Sequence, residues 1–90
     1  MVEIVREILC RKWALEILRY LAVEGTQNYS QIEAEFETSS DVITNRLQDL
    51  EYANLLTRKE KNSRDVRYSI TTDGERLLEL VAEIHELLDE

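Results

Sequence analysis

The sequence predicts a mainly α domain carrying one small β-hairpin. Three observations predict it. Apolar residues recur at helical spacing over about 3–24, 30–36, 40–53 and 72–89. Two of the inner helices open on hydroxyl residues suited to capping, with a tight turn between them. Val66, Tyr68 and Ile70 alternate with Arg67 and Ser69, the period of a half-buried strand.

In the first stretch, Ile4, Val5, Ile8, Leu9, Leu15, Ile17, Leu18 and Leu21 predict one helix over 3–24. Gly25 ends it, because glycine enters the left-handed region freely. Thr26 to Tyr29 form a short extended connection. Ser30 and Glu33 have the spacing of a capping box and start a short helix. Glu37-Thr38-Ser39-Ser40 interrupts it, and Ser39 or Ser40 caps the next helix, with Ile43, Leu47 and Leu50 on its inner face. Asn54 follows, a residue tolerant of positive φ. Two strands, 55–61 and 66–70, flank the turn residues Asn62-Ser63-Arg64-Asp65. Thr72 and Glu75 offer a second capping box for the last helix, whose apolar face runs from Leu77 to Leu88. This order is that of a winged helix-turn-helix: one domain over 1–90, with the helix-turn-helix at about 30–53, the wing at about 55–71 and the C-terminal helix at about 72–89.

Ninety residues leave room for one domain, and no proline and two glycines exclude collagen-like or linker character. No apolar run approaches the about 18 residues of a membrane span, and the charged N-terminus is unlike a signal peptide. A lone Cys10 cannot form an internal disulfide, so a cytoplasmic location is expected, with Cys10 a small buried apolar residue. His85 has no Cys or His partner, so no metal is expected. No nucleophile–base pair and no glycine-rich phosphate loop is present, so neither enzymatic activity nor a cofactor is expected. The sequence names no small-molecule effector.

The net charge is −8, yet it is unevenly spread. Residues 1–30 are neutral, 31–57 carry −5, 58–68 carry +3 and 69–90 carry −6. An acidic chain therefore holds one basic island, and the island falls on the hairpin.

At residue level the chain resembles the HxlR-type group of winged-helix transcription regulators, related to the MarR group. Lys12-Trp13 with Leu15, Ile17, Leu18 and Leu21 is similar to the family's KW-x-L-x-I-L-x-x-L helix. Gly25 and Asn28 to Ile32 resemble its G-x-x-R-F-x-E-L stretch, with Asn28 where the family usually has arginine. Ser39 and Ile43 to Glu51 resemble its recognition helix, and Tyr68-Ser69-Ile70-Thr71-Thr72-Asp73-Gly74 matches Y-x-L-T-x-x-G. The likeness covers roughly residues 8–80. Asn54 replaces a family glycine, and the wing Asn62 to Tyr68 lacks the family's paired prolines. The family's sensing cysteine lies well before its KW pair, whereas Cys10 is three residues before Trp13, so that role is not carried to it.

The resemblance implies a DNA-binding regulator, and the residues supply a mechanism. Opposite the apolar face of the 40–53 helix lie Asp41, Asn45, Gln48 and Tyr52, with Thr44 beside them and Ser40 at the helix start. Asn45 and Gln48 are amides able to pair with adenine, and Thr44 suits a thymine methyl or a phosphate. Arg46, on the flank, has three options: bracing the helix, pairing with Asp49 or Glu51, or reaching a phosphate. Arg58, Lys59, Lys61, Arg64 and Arg67 of the hairpin are expected on the DNA backbone. Tyr29 or Ser30 is a further candidate phosphate donor, with Tyr29 suited equally to the core. The plain alternatives are a solvated polar helix face and lysines that blunt a sheet edge; the basic hairpin and the family likeness together favour double-stranded DNA. Surplus apolar surface at both ends, Ile4, Val5, Ile8, Val81, Ile84 and Leu88, predicts a homodimer through the first and last helices. The competing function is an acidic winged-helix module that binds protein and not DNA.

Overall fold

Five helices and three short strands follow one another in the computed structural model, which describes residues 2–88, the side chains of 2–4 and 7 excepted. The order is α1 (Val2–Leu9), α2 (Ala14–Glu24), β1 (Gln27–Asn28), α3 (Tyr29–Glu35), α4 (Ser40–Tyr52), β2 (Leu56–Asn62), β3 (Asp65–Ile70) and α5 (Thr72–Leu87). The strands form an antiparallel sheet in the order β1-β3-β2. This is the winged helix-turn-helix architecture that the sequence predicts.

The one long helix expected over 3–24 is two helices. The chain turns at residues 10–13, and Trp13 takes φ 79 there. Cys10 sits in this turn and is exposed, not buried. Trp13 meets Phe36 edge-on, with ring centroids 5.6 Å apart, and Lys12 lies 5.1 Å from the Trp13 ring. The Phe36 contact reaches the break from the end of α3, and no glycine or proline is involved.

Two caps also differ from expectation. Asn28, not Ser30, opens α3: its Oδ1 accepts from the Gln31 amide at 2.8 Å, and the Gln31 side chain accepts from the Asn28 amide at 2.8 Å. Asn28 is placed for this by its pairing with Arg67 across β1 and β3. Thr71, not Thr72, caps α5, accepting from the Gly74 amide at 2.9 Å while donating to the Asn54 carbonyl at 2.9 Å. Ser39 caps α4 through the Val42 amide, and Asn54 turns the chain from α4 into β2 at φ 63.

Ile17, Leu18, Leu21, Ile32, Ile43, Leu47, Leu50 and Leu56 are sealed, from one inner stripe each of α2, α3 and α4 and from the start of β2. Fully burying each such side chain stabilises by roughly 1.5–3 kcal/mol. Gly74 is part of the same closure. A Cβ there would lie 2.3 Å from the Leu55 carbonyl oxygen and 2.6 Å from Ile70 Cγ1, so only glycine lets α5 start this close to the sheet.

Candidate nucleic-acid interface

The polar face of α4 is outward. Ser40, Asp41, Thr44, Asn45, Gln48 and Tyr52 are exposed, while Ile43, Leu47 and Leu50 on the opposite side hold the helix down. The start of this face is organised by α3. The Tyr29 hydroxyl donates to the Ser40 carbonyl at 3.2 Å and lies 3.0 Å from the Thr44 hydroxyl. The Ser40 hydroxyl donates to the Glu33 carboxylate. Ser40 and Thr44 are therefore engaged within the helix-turn-helix. Asn45 and Gln48 are the amides left facing solvent.

Arg46 goes the other way. Its Nε donates to the Lys12 carbonyl at 2.9 Å, and its guanidinium lies 3.6 Å from the Asp49 carboxylate. Of the options open to it in the sequence, the structure shows the brace and the pair with Asp49.

The hairpin divides its bases between faces. Cross-strand partners share a side of the sheet, so Arg58 stands with Tyr68, and Lys59 stands with Arg67 on the reverse side. The register slips between Glu60 and Asn62, so Lys61 falls in the irregular stretch. The five bases thus form no single patch. Arg58 is turned toward α4 and α3, and Arg64 at the hairpin tip toward α3. Tyr68 beside Arg58, and then the Glu60 carboxylate at 3.3 Å, hold the Arg58 pKa above the ordinary arginine value. Arg67 pairs with Asp65 at 3.1 Å. Lys59, Lys61 and Arg64 are exposed and make no ion pair among the described residues.

Helix and wing meet at two clefts. One, of about 370 Å³, is lined by Thr44, Gln48 and Glu51 of α4 with Arg58 and Tyr68 of the sheet. The other, of about 300 Å³, is lined by Asn28, Tyr29 and Ser30 with Arg58, Ser63, Arg64, Val66 and Tyr68. Arg58 and Tyr68 border both. The sequence marks Tyr68 only as an inward strand residue. Its alternation hides its second role, because the same face that reaches the core also carries Arg58. Glu33 and Tyr29 order the start of α4 with no spacing signal to announce it.

The chain matches a family model described as HxlR-like helix-turn-helix over residues 8–90. It belongs to the HxlR-like helix-turn-helix family. Similar solved structures share its fold. The reduced form of the transcriptional regulator YodB from B. subtilis has a TM-score of 0.79 at 23% identity, over 97% of this chain and 87% of that one. A regulator described as MarR-family from Enterococcus faecalis V583 gives 0.81 at 22% identity, over 96% and 79%. NadR in complex with 4-hydroxyphenylacetate gives 0.74 at 27% identity, over 97% and 64%. No curated protein matches by sequence. Family and neighbours together support a DNA-binding transcription regulator.

The remaining candidate residues of this HxlR-like chain lie at its ends. Ile8 and Val81, expected at a dimer face, are 4% and 7% exposed, already buried within the protomer. Val5, Ile84 and Leu88 of the same set are exposed. Ile4 has its side chain outside the described residues. His85 is exposed, and no group able to hold a metal occurs among the described residues. No helix among them is long and apolar enough to cross a membrane.

Proposed function

We propose that this chain is a sequence-specific, double-stranded-DNA-binding transcription regulator that acts as a homodimer, with α4 in the major groove and the wing on the backbone. The cleft shared by Thr44, Gln48 and Arg58 carries the reading, since it sets a base-reading surface beside a phosphate-reading one. Asn45 and Gln48 read base edges. Arg58, Lys59, Lys61, Arg64 and Arg67 meet phosphates, and the split of the hairpin puts Arg58 nearest α4 with Lys59 and Arg67 on the far side. Ser40 and Thr44 contribute through the start of α4. The acidic remainder, −5 over 31–57 and −6 over 69–90, repels DNA elsewhere and helps aim the wing. Exposed apolar side chains on α1 and α5 support the dimer, which would offer two α4 helices to half-sites about one turn apart.

A salt series of gel shifts tests this. Lys59→Gln with Lys61→Gln is expected to weaken binding to all duplexes alike and to flatten the slope of log affinity against log salt by about 1.8. Asn45→Ala or Gln48→Ala is expected to cost about 1–3 kcal/mol on the preferred sequence and little on others. Unchanged binding in both sets would remove the assignment. The competing reading, an acidic protein-binding module, draws on Glu51 in the shared cleft and exposed Asp41. A chain that stays off duplex DNA at low salt yet co-purifies with a protein would favour it.

A further inference from the structure

On α4, Arg46 is two residues from both Thr44 and Gln48, which puts it about 160° round the helix from each. A side chain so placed cannot reach a groove entered by the opposite face. The structure shows what it reaches instead. Its Nε–H is given to the main-chain oxygen of Lys12, 34 residues away in sequence, and Asp49 holds the guanidinium from the other side. Its side chain is 15% exposed.

The acceptor sits at an unusual place. The Lys12 carbonyl belongs to the turn between α1 and α2, and its peptide leads directly into Trp13 at φ 79. A tryptophan in the left-handed region persists only where its surroundings dictate it. Here the surroundings are identifiable: the Trp13 ring is packed edge-on to Phe36 at the end of α3, and the peptide before it is gripped by Arg46 of α4. The turn is thus clamped by both helices of the helix-turn-helix.

We infer that Arg46 is a positioning residue: it sets the seat of α4 on the α1–α2 turn, and through that seat the presentation of Asn45 and Gln48. The inference rests on the DNA-binding reading above for its functional half. Its structural half stands alone. A change in the path of residues 10–13 removes the acceptor, so the turn and the DNA-facing surface are coupled through one guanidinium.

Two measurements on the full chain test it. The first uses a duplex three helical turns long, selected by the wild-type chain from a random pool, against an unselected duplex of equal length. Arg46→Gln is expected to lower the preference for the selected duplex about tenfold, the order of one lost base contact, while the salt slope stays as in the wild type. Arg46→Lys, which keeps the charge but loses the planar fork, is expected to lower the preference too. A slope reduced by about 0.9 in Arg46→Gln, with preference intact and restored affinity in Arg46→Lys, would make Arg46 a phosphate contact and overturn the inference. The second measurement needs no DNA. Trp13 is the only tryptophan, so its emission and its quenching by acrylamide report on the turn. Both Arg46 variants are expected to increase quenching, and Arg76→Gln, which breaks an exposed pair with Glu79 on α5, is expected to leave it unchanged. Quenching identical to the wild type in both Arg46 variants would sink the strut. Should the wild type bind no duplex at all, the DNA-binding reading fails, and the Trp13 result still decides whether the strut exists.

Discussion

The helix-turn-helix and the outer half of α5 spend leucine and isoleucine in opposite ways. On α3 and α4, Ile32, Ile43, Leu47 and Leu50 are at most 2% exposed, and each packs against its own protomer. Ile84 and Leu87 on α5, and Leu88 at its C-cap, are 47%, 82% and 63% exposed. The same helix begins in the first manner and ends in the second: Gly74 is wedged against Leu55, while the apolar side chains of the last turn are left exposed. Ile84, Leu87 and Leu88 thus gather at the end of one helix, where the proposed dimer would cover them, whereas Val23 on α2 and Tyr52 on α4 are exposed singly.

Substitutions at the two kinds of position should separate this comparison cleanly. Leu47→Ala in the sealed region is expected to cost about 3 kcal/mol and to lower Tm by roughly 15 °C in thermal melts. Gly74→Ala, at the locked end of α5, is expected to cost about 2 kcal/mol, because the backbone oxygen it meets cannot swing aside. Ile84→Glu with Leu88→Glu, at the open end, is expected to change the melting of the monomer by less than about 0.5 kcal/mol and to abolish the dimer in sedimentation. Loss of folding in that double variant, or a monomeric wild type, would break the comparison.

The smallest effect is a pH dependence at the rim of the sealed region. Burial, then Glu35 and Glu24, raise the Tyr20 phenol above its ordinary 10.0. The folded state therefore holds this proton more tightly than the unfolded state. Its contribution is complete below about pH 10 and is lost as pH rises through the folded value. Tyr20→Phe is expected to flatten that alkaline decline in denaturant titrations.

The sequence made legible what local chemistry decides. Asn54 and Gly25 marked real positive-φ positions, at φ 63 and 81, and Ser39 marked a real cap. The apolar stripes of α2 and α4 marked the core. It concealed what distant contacts decide. The turn at residues 10–13 breaks a stretch whose apolar spacing continues almost unaltered, because Phe36 and Arg46 impose it from elsewhere. Ser30 and Glu33 have the spacing of a cap, but pairing of Asn28 with Arg67 fixes the start of α3 earlier, and two residues are too few to show a strand period. In the candidate site, the outward amides of α4 followed from a helical wheel. The division of the hairpin bases followed from strand alternation and a slip at Glu60, and a charge count alone cannot show it.

One end of the Arg46 link is a peptide oxygen, which all twenty residue types carry. Position 12 can therefore drift in identity, to alanine or glutamate, with the acceptor still in place. An inserted or deleted residue in that turn carries it out of reach. The joint between the α1–α2 turn and α4 is indifferent to the letters at one of its ends and strict about their number.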